Sequence, residues 1–204
     1  MYSMRTTDSR QTDSDARQRL LAGTRELLWE RGYAAMSPSA IIRRSGVGQG
    51  SMYHHFSGKQ ELAVAAFSAA AKETLAGAER VLRGKGSAPE RIRGYLLRHR
   101  DVLRGCPVGR MAQDADVIAI DPLHELLRDI FTRMRAVVRK VIDEGMEAGE
   151  IPSTLDAAEL ADTVLAVVQG GYVLARAQGQ PAPFNRAVRG AAALIDLAGQ
   201  QQRP

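Results

Sequence analysis

Residues 37–59 read SPSAIIRRSGVGQGSMYHHFSGK, and the spacing of caps and turns within them decides the fold of the first part of the chain. Ser37 predicts the N-cap of a short helix whose first residue, Pro38, has no amide proton to leave unpaired. The triplet Gly46-Val47-Gly48 predicts a tight turn, after which a third helix runs to about Ser57-Gly58. Two short helices joined by about three residues have the layout of a helix-turn-helix.

Helical periodicity continues on both sides of this segment, and no run shows the strict alternation that is typical of a half-buried strand. A first helix is predicted from Asp13 or Ser14 to Gly32. After Lys59 we expect longer helices over residues 60–82, 89–104 and 122–147, a short one that starts at Pro107, and two more that end near residues 178 and 197. The predicted fold is all-α: a disordered arm over 1–13, an N-terminal three-helix domain over 14–58, and a larger helical domain over 59–204.

Composition limits the class of protein. Of the 204 residues, 45% are hydrophobic and 25% are charged, which is ordinary for a globular protein. No stretch approaches the 18 or so uncharged apolar residues of a membrane span, and the polar start MYSMRTTDSRQTDSD is not a secretory signal. The single cysteine, Cys106, excludes an internal disulfide framework. We therefore expect a cytoplasmic protein without a membrane partner.

Positive charge is concentrated near the start of the chain. Residues 1–60 contain nine Lys or Arg and five acidic residues, so they account for +4 of the net charge of +5. Such an excess is what neutralisation of nucleic-acid phosphates requires, although it is also common on solvated surfaces.

The third helix is unusually polar, which indicates an external partner. A major groove about 12 Å wide admits one helix, and the amide of Gln49 has the donor and acceptor that adenine requires. Ser51 suits a base edge or a phosphate, and Gly50 allows close approach. The predicted phosphate contacts are Ser37, Ser39, Arg44, Tyr53, His54, His55 and Lys59. A packing role against the first helix is the alternative for Tyr53, and a solvated surface is the alternative for Arg44.

A metal site at His54 and His55 is not expected. Adjacent side chains on a helix point about 100° apart, and no acidic or cysteine residue stands at ligand spacing in the sequence. We also expect no cofactor.

The stretch RGYAAMSPSAIIRRSGVGQGSMYHHFSGKQELA, residues 31–63, resembles the DNA-binding domain of the TetR family of repressors. The resemblance covers roughly residues 14–65, and Gly48 departs from the Ser or Thr often found there. It implies a homodimer that binds double-stranded DNA at a palindromic operator. It also implies a second domain whose pocket binds a small-molecule effector that releases the DNA.

Cys106 is the residue of most interest outside this domain. It precedes Pro107, the expected start of a short helix, and Arg104 and Arg110 are close in sequence; these features lower the pKa of a thiol. The alternative is a small buried hydrophobic residue. The motif Gly-Cys-Pro-Val-Gly resembles a TetR subgroup that includes the LmrA and YxaF repressors, and is similar to cysteine-using electrophile sensors.

Two further functions follow from Cys106. One is a redox- or electrophile-sensing regulator. The other, more distant, is a cysteine-dependent enzyme with His99 or His124 as base; because nothing supplies an orienting third group, we expect no enzyme.

The effector site is expected among the middle helices. With aromatic residues at only 5%, a small, polar-headed or aliphatic effector is favoured over a large flat cation. The candidate lining residues are Tyr95, His99, Cys106, Met111, Gln113, Phe131, Met134, Tyr172 and Arg176. Small residues in the last two helices allow close helix packing, which suits a dimer interface and equally suits internal packing.

Overall fold

A computed structural model describes the backbone of residues 5–200 and the side chains of residues 13–199. All regular structure in this part of the chain is helical, which confirms the all-α fold. Besides α-helices, the described residues contain a single 3-10 turn, Met111–Gln113. The nine α-helices of the described residues are α1 Arg5–Arg31, α2 Pro38–Ser45, α3 Gln49–His55, α4 Lys59–Leu82, α5 Ala88–Leu97, α6 Ala115–Ala119, α7 Asp121–Glu147, α8 Ala157–Gln178 and α9 Ala182–Gln200.

The described chain divides into two compact units. The first takes in the chain up to residue 71 together with 110–127, and the second takes in 72–109 and the chain from 128 onward. Asp114 shows why 110–127 join the first unit, because its carboxylate accepts hydrogen bonds from the backbone amides of Tyr33, at 2.6 Å, and Ala34, at 3.0 Å. The domain limits of 58 and 59 stay a prediction.

The first unit forms around α1, whose buried face includes Leu20, Leu27 and Leu28. Gly23 allows α2 to pack closely, since a Cβ atom there would lie 3.2 Å from the backbone nitrogen of Ser45. Helix α1 starts at Arg5, so the predicted start at Asp13 or Ser14 is wrong; no Gly or Pro interrupts residues 5–19. Residues 1–4 of the predicted arm lie outside the described residues.

Two predictions in the second unit are wrong. Helix α5 ends at Leu97 and not at residue 104, because the guanidinium of Arg100 turns back and donates to the carbonyl oxygens of Tyr95, at 2.6 Å, and Leu96, at 2.8 Å. Those carbonyls belong to the last turn of the helix, where no further amide is available to them. Pro107 starts no helix, since residues 107–110 form turns.

Helix α8 begins after the N-cap Asp156, which accepts from the amides of Ala158 and Glu159, and packs against α9. By length and composition alone, α8 passes the test for a helix that could cross a membrane. Its buried face includes Val164, Val168 and Tyr172. A core helix passes the same test of apolar length, so this property is weak support for a span.

Candidate nucleic-acid interface and ligand site

Helix α3 is anchored on one side and open on the other. Met52 is fully buried and Phe56 is 3% exposed, whereas Tyr53 is 49% exposed. Gln49, Gly50 and His54 are exposed as well, and Ser51 is half-buried. A Cβ atom at Gly50 would meet nothing within 4 Å, so the interior of the protein does not require glycine there. The open side of α3 therefore carries the polar groups predicted to contact DNA.

The turn before α3 has the predicted geometry. Ser37 caps α2, because its Oγ accepts from the amide of Ala40 at 3.2 Å, and Gly46 adopts the left-handed conformation with φ 65°. Val47 is 4% exposed and packs inward. The Oγ atoms of Ser37 and Ser39 lie 3.0 Å apart, so the two hydroxyl groups sit together at the start of α2.

Lys59 is the first residue of α4, as predicted, and an aromatic residue holds it. Its Nζ lies 3.9 Å from the centroid of the Tyr33 ring, a cation–π contact. Burial, followed by the nearby charges of Asp116 and Asp114, raises the pKa of Tyr33. Sequence analysis missed Tyr33, and its position just after the end of α1 was the only available signal.

Arg44 is engaged within the protein. Its guanidinium donates to both carboxylate oxygens of Glu30, at 2.7 and 3.0 Å, and lies 3.6 Å from Glu26. The hydrogen bond with Glu30 raises the pKa of Arg44. This bidentate ion pair joins α2 to α1. A phosphate would compete with Glu30 for the N–H donors of the same guanidinium. The predicted DNA contact at Arg44 is untested.

His54 and His55 meet a carboxylate that their sequence spacing did not reveal. The Oδ1 atom of Asp13 lies 3.2 Å from Nε2 of His55 and 3.8 Å from Nε2 of His54. The prediction that His54 and His55 have no acidic partner is therefore wrong. The longer α1 carries Asp13 to the end of α3.

In the second unit, two other predicted ligand residues, Tyr95 and Tyr172, interact electrostatically with Cys106. The Sγ atom of Cys106 accepts from the amide of Gly109, at 3.2 Å, and from Nε2 of Gln169, at 3.5 Å. Burial raises the pKa of both Tyr95 and Tyr172, and the Cys106 charge acts on each in the same direction. Because no helix starts at Pro107, the helix N-terminus expected beside the thiol is absent there.

Two arginines flank Tyr95. The guanidinium carbons of Arg98 and Arg100 lie 5.1 and 5.2 Å from the centroid of its ring. Burial, and then the charge of Arg98, lowers the pKa of Arg100. Within the described residues neither arginine has a carboxylate within ion-pair distance, and Nε of Arg98 is buried without a hydrogen-bond partner. Sequence analysis did not single out either arginine, because the sequence does not show which arginines are buried without a carboxylate partner.

A groove of about 810 Å³ opens beside these arginines. Residues 96–103 form one wall, and Pro181, Phe184, Asn185, Val188 and Arg189 form the other. His99 lines it and is exposed. The groove therefore combines an apolar surface with three arginine side chains, Arg98, Arg100 and Arg189, and one carboxylate, Asp101.

Arg176 lies beside the residue before Cys106, since a Cβ atom at Gly105 would be 3.5 Å from its Cδ, and the remaining predicted ligand residues lie elsewhere. Met111 and Gln113 belong to the first unit, Met134 is buried, and Arg176 is exposed. Phe131 lines a smaller cleft of about 360 Å³ that also contains Arg135, Asp162 and Gln169. Of the predicted ligand residues, His99 lines the larger groove and Phe131 lines the smaller cleft, whereas Tyr95, Cys106 and Tyr172 line neither.

A second groove, of about 580 Å³, lies between α8 and α9 and is almost entirely apolar. Leu194 is 69% exposed and Leu174 is 50% exposed along it. Gly170 and Gly190 line it, and neither would bring a Cβ atom within 4 Å of another group. This face carries the small residues that predicted a dimer interface.

Comparison with known proteins supports both halves of the chain. Residues 20–66 match a family described as bacterial regulatory proteins, tetR family, and residues 89–191 match a tetracyclin repressor-like C-terminal domain. The HTH-type transcriptional regulator YxaF of Bacillus subtilis is 25% identical over 178 residues, which span 83% of this chain and 90% of that protein.

Solved structures share the fold. A TetR transcriptional regulator from Chloroflexus aurantiacus has a TM-score of 0.81 at 28% identity, covering 91% of this chain and 96% of its own. The TetR family regulator CifR, solved with a 26-bp double-strand operator, has a TM-score of 0.74 at 21% identity, covering 86% and 94%.

Proposed function

The chain belongs to the TetR family of bacterial regulatory proteins, and from that premise we propose that it is a repressor that binds a palindromic operator as a homodimer and is released by a small-molecule effector. The observation that carries this proposal is the open polar side of α3, with Tyr53 49% exposed while Met52 is fully buried. The similarity to YxaF agrees with the LmrA and YxaF subgroup that the Gly-Cys-Pro-Val-Gly motif predicted.

We assign base reading to Gln49 and Ser51, because both lie in the first turn of α3, where an amide and a hydroxyl reach base edges. Tyr53 and His54 contact phosphates from the same helix. Lys59 does so from the start of α4, and Ser37 and Ser39 from the start of α2. Gly50 allows the DNA to come close, because a side chain at this position would project into the open space that the DNA fills.

The homodimer forms through α8 and α9. Exposed Leu194 and Leu197, which are 69% and 56% exposed, leave an apolar surface that a second copy of the same face buries. Two α8–α9 pairs then form a four-helix interface, in which Gly170 and Gly190 permit close packing.

The effector binds in the groove beside Tyr95. Arg98 and Arg100 have no carboxylate partner among the described residues, so an anionic group on the effector supplies the missing charge. The apolar walls, with Leu96, Phe184 and Val188, suit a small aliphatic body. Release of DNA requires that the effector bind the DNA-incompetent arrangement more tightly than the competent one.

The central test uses duplexes that the wild-type protein selects from a randomised 26-bp library. Fluorescence anisotropy at fixed salt then compares Gln49→Ala and Tyr53→Ala with Thr132→Ala, an exposed control in α7. We expect Gln49→Ala to bind about 5- to 150-fold more weakly, since one base-reading contact contributes about 1–3 kcal/mol. Tyr53→Ala should also bind more weakly, because it loses a phosphate contact. Unchanged binding in both would remove α3 from the interface.

Redox or electrophile sensing through Cys106 is a second candidate. Its Sγ accepts from two N–H donors, so the thiol lies in a polar setting, unlike that of a purely apolar core residue. Labelling with iodoacetamide as a function of pH, and DNA binding after peroxide treatment, test this with Cys106→Ser as control. Loss of DNA binding in the wild type alone supports sensing; an identical response in both proteins excludes it.

We propose no enzymatic activity, because the polar partners of Cys106 Sγ are a backbone amide and a glutamine, and neither accepts a proton as a general base. The protein acts in the cytoplasm, as its family generally does.

A further inference from the structure

We propose that Asp13, His54 and His55 form a binding site for a divalent transition-metal ion, with zinc as the reference ion, that joins α1 to the end of the recognition helix α3. One carboxylate oxygen and two imidazole nitrogens of these residues lie within 4.8 Å of one another. Neither the family comparison nor the proposed function assigns a metal here.

The geometry is close to that of a three-ligand zinc site. With Zn–N and Zn–O bonds of about 2.0–2.1 Å, neighbouring ligand atoms of a tetrahedron are about 3.3 Å apart. Oδ1 of Asp13 is 3.2 Å from Nε2 of His55 and 3.8 Å from Nε2 of His54. Because the His54 side chain is 72% exposed, a small rotation closes the remaining distance without disturbing the core.

His55 gives an independent reason. Its side chain is only 7% exposed, and its Nε2 is buried without a hydrogen-bond partner although Asp13 lies 3.2 Å away. This imidazole nitrogen is buried and faces a carboxylate without a hydrogen bond to it. Its lone pair is therefore available to bind a metal ion. A metal ion satisfies this nitrogen and the negative charge of Asp13 together.

The ligand set also limits the choice of ion. Two imidazoles and one carboxylate suit zinc, cobalt or nickel, whereas calcium and magnesium prefer oxygen ligands alone. Asp13 and His54 are exposed, so the fourth position is open to water. The ion would be bound at the surface.

The two rings can converge although they are neighbours on a helix. His54 and His55 occupy the last turn of α3, and Phe56 after them is already extended, with φ −142° and ψ 133°. The ring centroids are 5.2 Å apart with planes inclined by 67°. An edge-to-face pair of this kind presents both Nε2 atoms toward the same carboxylate.

The test uses the full chain after dialysis against a chelator, with Co²⁺ and Zn²⁺ as probes. We expect Co²⁺ to give a visible absorption band of a nitrogen-ligated site, and calorimetry to show one Zn²⁺ bound for each chain. Asp13→Asn and His54→Gln should weaken Zn²⁺ binding at least about tenfold, because each removes a direct ligand.

The matched control is Asp15→Asn, which changes the same charge two residues further along α1, where Asp15 pairs with Arg19. His99→Gln is the control for an exposed imidazole. Asp13 and His54 are both exposed, so their variants keep the fold, which circular dichroism checks. Equal Zn²⁺ affinity in Asp13→Asn and wild type, or no binding in wild type, overturns the site.

Discussion

The ammonium nitrogen of Lys59 lies 3.9 Å from the centroid of the Tyr33 ring. Tyr33 is itself fixed, since its backbone amide donates to Asp114, 81 positions later in the chain, at 2.6 Å. The first residue of α4 is therefore held by an aromatic ring whose own backbone is tied to the segment after α5. This chain of contacts positions the cation that we assign to a DNA phosphate.

Replacing the Tyr33 ring should weaken DNA binding, although Tyr33 is not one of the proposed DNA contacts. A cation–π contact contributes about 0.5–1 kcal/mol at exposed sites, so Tyr33→Leu should bind the selected duplex about two- to fivefold more weakly. Tyr33→Phe retains the ring and should bind like the wild type. Anisotropy titrations measure the difference; identical affinities for the Leu and Phe variants would mean that the ring does not position Lys59.

Removal of the Lys59 charge should change the salt dependence of binding. Each phosphate contact releases counterions, so Lys59→Gln should lower the slope of log affinity against log salt by about one for each subunit. Lys140→Gln, in α7, makes the same change of charge outside the interface. If the two variants show the same slope, the phosphate contact at Lys59 is wrong.

The arginine groove should prefer carboxylates. We expect medium-chain carboxylates to raise the thermal midpoint of the protein and to release DNA, while the matching primary amides do neither. Arg98→Gln should weaken carboxylate binding about tenfold or more, because a hydrogen bond to a charged group contributes about 1.5–3 kcal/mol.

Arg93→Gln is the control for that experiment, since Arg93 lies on α5 and pairs instead with Asp196, at 3.8 Å. Arg100 is unsuitable, because its guanidinium also caps the end of α5. Equal responses to carboxylates and amides would show that the groove does not recognise an anion.

A charge on the α8–α9 face should separate the subunits. Leu194→Glu places a carboxylate at a side chain that is 69% exposed in one chain, and burial of that charge in a dimer is costly. We expect light scattering after gel filtration to report a monomer. Ile118→Glu, at a position 43% exposed in the first unit, should leave the wild-type mass unchanged. A dimeric Leu194→Glu variant would place the interface elsewhere.

Zinc should strengthen DNA binding if both the metal site and the α3 interface are correct. The ion neutralises Asp13 and adds positive charge at the end of α3, which favours phosphates. Wild type should gain affinity on addition of Zn²⁺, and Asp13→Asn should not. No change in wild type, once calorimetry has shown the ion to be bound, would separate the metal from DNA recognition.

The sequence by itself determined the helix-turn-helix, because its signals act over a few residues. Ser37 caps α2 through the amide of Ala40, Gly46 takes a positive φ, and Val47 turns inward, each as its neighbours require. The exposed side of α3 followed from the same local pattern, since Met52 and Phe56 are its apolar residues.

Tertiary structure decided the rest, because the deciding groups are far apart in sequence. The end of α5 depends on Arg100, whose side chain folds back onto carbonyl oxygens of the last turn. Helical periodicity in the sequence does not predict this contact. Asp13 reaches His55 because α1 packs beside α3. Among the described residues Arg98 and Arg100 lack a carboxylate partner, and burial lowers the pKa of Arg100; both are properties of the packed chain and of no segment within it.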